Sequence, residues 1–345
     1  MKLPRRALTR IIVCLAGLAL TGTVAVPAAS ASPARNTARA VTSAIGVSAT
    51  IPVGLAPLAV ATNPLTNVSY VTNETSATVS VISGKTNTVT ATIPVGGLFP
   101  SPTGVAVNPL TKTIYVAVSF TGAVAVISGK TNTVTATIPL TGLGTDLAGV
   151  AVNPLTNTIY VANVSFNTVQ VINGTTNTVT ATIPIGGEPA GVALNPLTNT
   201  IYVANPSNST VSVINGKMNT VTATIPVGFL PLAVQGVAVN PLTNTIYVTN
   251  LGDNTLSVIS GKTNTVTATI PVGIQPNGVA SDPLTNTSYV ANHISNTVSV
   301  VSGKTNTVTA TIPVGNGPTG TASDPLTNTV YVTNFVDNTV SVLSP

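Results

Sequence analysis

The sequence predicts an all-β protein, a seven-bladed β-propeller with four antiparallel strands in each blade. Three observations lead to this fold. A unit of 42 or 45 residues recurs seven times, and the units are rich in Val, Ile and Thr, which favour strands. Each unit also divides into four short strand-like segments separated by turns that contain Asn, Gly or Pro. Four strands in a unit of roughly 40–50 residues are typical of a propeller blade.

Two markers locate the repeat. A block of the form N/D-P-L-T forms a turn in every unit, and a tyrosine follows it at a fixed distance. The blocks begin at Asn63, Asn108, Asn153, Asn195, Asn240, Asp282 and Asp324. The tyrosines, which are all the tyrosines of the chain, are Tyr70, Tyr115, Tyr160, Tyr202, Tyr247, Tyr289 and Tyr331.

The fourth unit, residues 191–228, illustrates the four strands of a blade. GVAL is the first strand, and the turn NPLTN connects it to the second strand, TIYVAN. A polar loop then leads to the third strand, TVSVIN, and a glycine-containing hairpin leads to the fourth, TVTATIPVG. The fourth strand has a proline near its end, as at Pro94, Pro184 and Pro271. Because proline cannot donate a ladder hydrogen bond, we expect this strand at the outer edge of the blade.

The two ends of the chain are expected to close the ring. The strand ATIP also occurs seven times, but its first copy precedes the first N-P-L-T block. The last unit ends in TVSVLSP and has no fourth strand of its own. We therefore predict that Val47–Pro52 completes the seventh blade beside Val340–Leu343. This pairing covers a row of backbone groups that would otherwise be unpaired.

The first 31 residues have the three parts of a secretory signal peptide. A basic start is followed by an apolar run and by a small-residue cleavage pattern, A-S-A. We expect export and cleavage, with residues 32–45 as a flexible lead-in and 46–345 as the propeller. An uncleaved membrane anchor is the alternative, but the apolar run is short for a span of roughly 20 residues. An Arg-Arg pair in the basic start leaves both Sec and twin-arginine export open.

The composition narrows the classes of function. The formal net charge of +5 is due mostly to the signal segment, and eight basic and seven acidic residues remain after its removal. No basic stripe is interleaved with aromatic residues, so nucleic-acid binding is not favoured. The one cysteine, Cys14, lies in the signal segment, which leaves the mature chain without disulfide or thiol chemistry. We expect a monomer with no cofactor, no bound metal and no membrane span.

The strand that carries the tyrosine resembles a known repeat. It reads Y-V-T-N or Y-V-A-N in six blades and Y-V-A-V in blade two, at Tyr115–Val118. These segments resemble the YVTN β-propeller repeat family, and the resemblance covers nearly all of the chain after residue 46. Members are similar to archaeal surface-layer proteins and secreted bacterial propellers, which implies an extracellular or cell-surface role but no single biochemical activity.

The order of the strands places the loops alternately on two faces of the ring. The repetitive face, as we name it, comprises the NPLTN turns and the SGKTN-type hairpins, which barely change between blades. The variable face comprises the loops between second and third strands and the connections between blades, which change in every blade. Loops on a rigid scaffold usually carry function. We therefore expect the binding surface on the variable face.

Residues that depart from the repeat gather on the variable face. The candidate partner-binding residues are all five phenylalanines, five acids and the one histidine: Phe99, Phe120, Phe166, Phe229, Phe335, Glu74, Asp146, Glu188, Asp253, Asp337 and His293. Aromatic residues often anchor interfaces. The expected partner is an extracellular protein, a glycan or a cell-wall polymer. The alternative is that the phenylalanine rings pack into the seams between blades.

Charge also differs between the faces. The repetitive face carries six lysines, offset in the sequence by two aspartates, Asp282 and Asp324. The lysines are Lys85, Lys112, Lys130, Lys217, Lys262 and Lys304. Their expected role is to keep a strand-rich surface soluble. Contact with an anionic wall polymer is the alternative.

The sequence offers little support for catalysis. A nucleophile needs a base within reach, and His293 is the one histidine. Related lactonase- and lyase-type propellers are enzymes, but their acidic and histidine site patterns are not found in this sequence. We therefore expect a non-enzymatic binding protein. The alternatives are an enzyme of lactonase or lyase type acting at the mouth of the central channel, and a structural surface-layer component.

Overall fold

The computed structural model describes residues 45–96, 100–140, 144–228 and 236–345. It confirms an all-β chain whose strands form seven four-stranded antiparallel sheets. The three internal gaps fall in the connections before blades two, three and five, which are the three connections lengthened in the 45-residue units. The predicted signal peptide and most of the lead-in lie outside the described residues, so both stay predictions.

The strands are numbered β1–β28 in chain order, and one 3₁₀ turn spans Pro206–Asn208 in blade four. The first strand is β1 (Gly46–Pro52). Blades one and two contain β2 (Pro57–Asn63), β3 (Val68–Asn73), β4 (Thr78–Ser83), β5 (Thr88–Pro94), β6 (Ser101–Asn108), β7 (Thr113–Ser119), β8 (Ala123–Ser128) and β9 (Thr133–Pro139). Blades three and four contain β10 (Leu147–Asn153), β11 (Thr158–Asn163), β12 (Thr168–Asn173), β13 (Thr178–Pro184), β14 (Val192–Asn195), β15 (Thr200–Asn205), β16 (Thr210–Asn215) and β17 (Thr220–Pro226). Blades five to seven contain β18 (Val237–Asn240), β19 (Thr245–Asn250), β20 (Thr255–Ser260), β21 (Thr265–Pro271), β22 (Pro276–Asp282), β23 (Thr287–Asn292), β24 (Thr297–Ser302), β25 (Thr307–Pro313), β26 (Pro318–Asp324), β27 (Thr329–Asn334) and β28 (Thr339–Ser344).

The seventh blade is closed by the N-terminal strand. Its strand order is β26-β27-β28-β1, whereas each of the other six sheets follows the chain order. Val47 lies opposite Leu343 and Ile51 lies opposite Val340, with a bulge after Val47. The pairing expected from the unmatched first strand is therefore confirmed.

The hydrophobic core lies in the seams between neighbouring blades. In the seam between blades three and four, Tyr160 packs with Ile201, Val203 and Ile214 of the following blade. The other seams have the same arrangement, and all seven tyrosines are at most 3% exposed. Each blade thus contributes a tyrosine to the seam with the next blade, which explains why this residue recurs at a fixed position.

The buried tyrosines predict an alkaline limit to stability. Burial raises the pKa of Tyr160 and Tyr202 to about 12, and burial together with the charge of Asp282 does so for Tyr289. In the unfolded chain a tyrosine ionises near pH 10. Because only the unfolded state releases these protons between about pH 10 and 12, the free energy of unfolding should fall across that window and be unaffected below it. Denaturant titrations at stepped pH, read by far-UV circular dichroism, measure this fall. Stability that is unchanged up to pH 12 would contradict it.

The threonine of Y-V-T-N joins neighbouring blades. The hydroxyl of Thr249 donates to the carbonyl of Asn277 in the next blade at 2.7 Å, and that of Thr72 donates to the carbonyl of Thr103 at 2.8 Å. Thr333 makes the corresponding bond to Leu58, which links blade seven to blade one. The recurring threonine therefore has a structural explanation, because it ties the second strand of one blade to the innermost strand of the next.

Candidate binding face

The loops of the variable face are held in place by backbone hydrogen bonds. In several blades the first residue after the second strand donates its N–H to the connection that enters the same blade. Examples are Glu74 to Ala56 at 2.9 Å and His293 to Gln275 at 2.9 Å. Val164 and Phe335 make equivalent bonds, and Phe120 donates instead to Thr145 in the connection that enters the next blade, at 3.0 Å. The two kinds of loop that make up this face therefore form one connected surface, fixed by the backbone itself.

The described phenylalanines lie at the solvent side of this face. Phe120 is 55% exposed and Phe166 is 59% exposed, while Phe335 is half-buried. The amide of Phe166 donates to the side-chain oxygen of Asn163, the last residue of its Y-V-A-N segment, at 3.3 Å. Phe99 and Phe229 lie outside the described residues. Phe120 and Phe166 are therefore not buried in the seams between blades. Their role as anchors for a partner remains a prediction.

Two of the candidate acids accept hydrogen bonds from serines of neighbouring loops. Glu74 accepts from the hydroxyl of Ser101 at 3.1 Å, and Glu188 accepts from the hydroxyl of Ser207 at 2.8 Å. Asp146 is exposed. These carboxylates remain at the surface, so they give the variable face a negative charge.

Asp337 has a structural role that sequence reasoning missed. Its carboxylate accepts from the backbone N–H of Asn316 at 2.7 Å and from the side-chain amide of the same residue at 2.9 Å. These bonds lower the pKa of Asp337. At the same loop position in blades one and six, Ser76 and Ser295 accept from the corresponding backbone N–H groups. A residue at this position therefore holds the incoming connection, and the alignment of the seven units contained that signal.

Asp253 occupies the same loop position in blade five. A Cβ built on Gly228 would lie 3.0 Å from its Oδ2, which places the carboxylate against the start of the connection that enters blade five. Asp253 and Asp337 belong to different blades and each lies against its own connection. Across the described ranges, no three or more His, Cys, Asp or Glu side chains are grouped closely enough to hold a metal ion.

His293 lies at the seam between blades six and seven. Its ring is partly exposed, and a Cβ built on Gly317 would lie 3.2 Å from its Cε1. Its Nδ1 is buried without a hydrogen-bond partner. The ring therefore packs against the connection of blade seven, and its Nδ1 is not oriented by a carboxylate in the way a general base requires.

The central channel opens on the variable face through a cavity of about 240 Å³. Its wall is formed by the beginnings of the innermost strands and consists largely of glycine and alanine. The larger side chains there are Leu58, Leu147, Thr103, Asn277 and Thr319. The candidate acids and His293 do not line it. The innermost strands therefore present mostly small side chains to the channel.

On the repetitive face, hydrogen bonds join the turns of neighbouring blades. The side-chain amide of Asn108 donates to the side-chain oxygen of Asn157 in the next blade at 2.8 Å. The same bond recurs at the next three seams, from Asn153, Asn195 and Asn240. In these four blocks the first residue therefore links neighbouring blades, which accounts for the asparagine at this position.

The burial of Asp282 and Asp324 corrects the charge expected for the repetitive face. They take the place of these asparagines in blades six and seven and are 1% and 0% exposed. Each carboxylate accepts the amide N–H of the leucine in its own turn, at 2.8 and 3.0 Å. Burial raises the pKa of Asp324, and the nearby charge of Asp282 adds to the rise. Because neither carboxylate reaches solvent, the exposed charge of this face comes from its six exposed lysines and is not offset by exposed aspartates.

The fold defines the chain as a seven-bladed β-propeller with two chemically different faces. A solved structure of the same fold is the Kuenenia stuttgartiensis hydrazine synthase, at 17% sequence identity and a TM-score of 0.72. The match covers 84% of this chain and 96% of that one. At this identity the likeness shows the fold alone. Neither a protein-family model nor a curated protein matches the sequence. In the part of the chain that the structure describes, no helix has the length and apolar character needed to cross a membrane.

Proposed function

We propose that the protein is a secreted or cell-surface propeller of the YVTN-repeat type that binds an extracellular protein, a glycan or a cell-wall component through its variable face. The observation that carries this proposal is the exposure of Phe120 and Phe166 on loops fixed by backbone bonds. Exposed large aromatic side chains on a rigid support favour a binding surface, because little conformational freedom is lost when a partner covers them. The predicted signal peptide supports the extracellular location.

An enzyme of lactonase or lyase type acting at the channel mouth is the second candidate. Such a reaction needs acids, a histidine or a metal that converge where a substrate enters. At this mouth the polar side chains are Thr103, Asn277 and Thr319, and the candidate acids lie on the surrounding loops. The geometry therefore supports a binding function rather than catalysis.

Replacing the two exposed rings tests the proposal. The mature chain, residues 32–345, is applied to an array of extracellular glycans and purified wall polysaccharides, and the array is repeated with the double variant Phe120→Ser/Phe166→Ser. Loss of two aromatic anchors is expected to weaken binding at least about 10-fold. Since both rings are exposed, the free energy of unfolding should change by no more than about 0.5 kcal/mol per site.

A matched control lies on the opposite face. Leu155 and Leu197 are exposed to a similar extent in two turns of the repetitive face. The double variant Leu155→Ser/Leu197→Ser removes comparable apolar surface, and it should bind the same ligands as the unmodified chain. Equal losses in both variants, or a loss in the leucine variant alone, would exclude the variable face as the binding surface.

A further inference from the structure

The two faces of the ring carry opposite exposed charge. All six lysines of the repetitive face are exposed, and both of its aspartates are buried. The remaining five acids, Glu74, Asp146, Glu188, Asp253 and Asp337, lie on the variable face and are exposed or partly exposed. The molecule is therefore strongly dipolar along the ring axis, although its total charge is close to zero after removal of the signal segment.

Both faces also expose apolar side chains. On the variable face these are Leu55, Phe120, Phe166, Ile274, Ile294 and Val336. On the repetitive face they are Leu155, Leu197, Met218, Leu284 and Leu326, and four of these five are the leucine of an N-P-L-T block. Protein interfaces combine apolar contacts with charged and polar groups. Each face therefore has both components of an interface, apolar contact and charge, and the charges are complementary.

We propose that the ring associates with a second copy of itself, with the lysine-bearing repetitive face of one copy on the acidic variable face of the next. The size of the faces permits this. Four strands about 4.8 Å apart extend outward from the channel, so a face has a radius of roughly 20 Å and an area of roughly 1,200 Å². A standard protein interface buries about 800 Å² on each partner.

The repeat makes the contact possible in several orientations. Five of the seven blades have a lysine in the hairpin, and five have an acid on the variable face. Any rotation of one ring by a whole number of blades about the common axis therefore brings opposite charges together at three blade positions or more, because two sets of five blades out of seven share at least three positions. The contact joins two different surfaces and leaves one of each free. It is therefore heterologous, and it builds a linear stack rather than a closed dimer. This proposal rests on the proposed role of the variable face. If the rings stack, the monomer expected from the sequence is the state of the protein in dilute solution only.

Two charge-reversal variants test the proposal. Lys85→Glu/Lys130→Glu/Lys217→Glu/Lys262→Glu leaves two lysines against four glutamates and makes the repetitive face acidic, and Glu74→Lys/Asp146→Lys/Glu188→Lys leaves two acids against three lysines and makes the variable face basic. Asp253 and Asp337 are left unchanged because their carboxylates lie against the connections that enter their blades. Sedimentation velocity of residues 32–345 should show stacks at high protein concentration and about 50 mM salt, with an association constant at least about 10-fold lower at about 500 mM salt. Each variant alone should sediment as a monomer of unchanged melting temperature, because both of its faces then carry the same sign. An equimolar mixture of the two should associate again.

Several outcomes would overturn the proposal. One is a wild-type chain that stays monomeric at low salt and high concentration. Another is association that both variants retain. A third is wild-type protein that remains monomeric but binds vesicles of phosphatidylglycerol, and loses this binding when the lysines are reversed. The repetitive face would then bind a lipid surface rather than a second copy.

The glycan array with Phe120→Ser/Phe166→Ser is measured at low protein concentration, so its result does not depend on stacking. Failure of the stack and failure of the variable-face proposal are therefore distinguishable.

Discussion

Removal of the N-terminal strand is expected to lower the melting temperature of the propeller by at least about 10 °C. Deleting residues 32–52 takes away β1, whose residues pair with β28 from Gly46 to Pro52. It also removes Ile51, which is 3% exposed and packs with Val60, Tyr331 and Val340. Burial of one isoleucine is worth about 2 kcal/mol, and each ladder hydrogen bond contributes about 1 kcal/mol. The summed loss of about 5 kcal/mol or more corresponds to the stated shift.

A shorter deletion provides the control. Removing residues 32–44 leaves β1 and its pairing complete, so the melting temperature should stay within about 1 °C of that of the mature chain. A synthetic peptide of residues 45–54, added to the longer deletion, should restore part of the lost stability by refilling the edge of blade seven. Calorimetry measures all three samples. If both deletions melt at the same temperature, the closure by β1 does not stabilise the ring.

Substitution of a glycine in the innermost strands is expected to cost about 3 kcal/mol, because neighbouring blades touch there through their backbones. The position is glycine in six of the seven units, at residues 104, 149, 191, 236, 278 and 320. A Cβ on Gly278 would overlap the carbonyl oxygen of Thr319 and lie 3.1 Å from the Cα of Gly320. Both contacts are with backbone, so Gly278→Ala forces blades six and seven apart. Chemical denaturation of the variant gives the loss directly.

Blade one supplies the matched control for this substitution. Ala59 occupies the equivalent position, so that seam already accommodates a methyl group. Ala59→Gly removes it and should cost no more than about 1 kcal/mol, through the greater freedom of the unfolded chain. A loss for Gly278→Ala as small as the one for Ala59→Gly would show that the backbones do not limit the approach of the blades.

The sequence was sufficient to predict the fold and its closure, because both follow from counting the copies of each strand segment along the chain. The unmatched copy of ATIP before Asn63 and the missing fourth strand after Val340 identify the pairing without any knowledge of side-chain contacts. The sorting of loops by face follows from strand alternation in the same way. These inferences depend on local strand propensity and on the order of the strands, and both recur in all seven units of the sequence.

The roles of individual polar residues could not be predicted in this way. Asp324 resembles a surface turn residue in sequence, yet it is buried because its block lies where the turns of adjacent blades meet. The bond from Thr249 to Asn277 likewise joins residues of different blades. Such contacts depend on the angle and distance between blades, which the repeat does not specify. Asp337 is a different case, because its partner Asn316 lies in the connection of the same blade, and the loop position shared between the units contained the signal.

The central claim is that the variable face is the interaction surface, and hydrogen exchange of the bound protein tests it most directly. Amide exchange is compared with and without the polysaccharide that binds most strongly on the array, at a concentration where sedimentation gives a monomer. We expect added protection in the loops around Phe120 and Phe166, residues 119–123 and 163–168, and unchanged exchange in the NPLTN turns. Protection confined to those turns, or to the channel wall around Gly104 and Gly278, would contradict the claim.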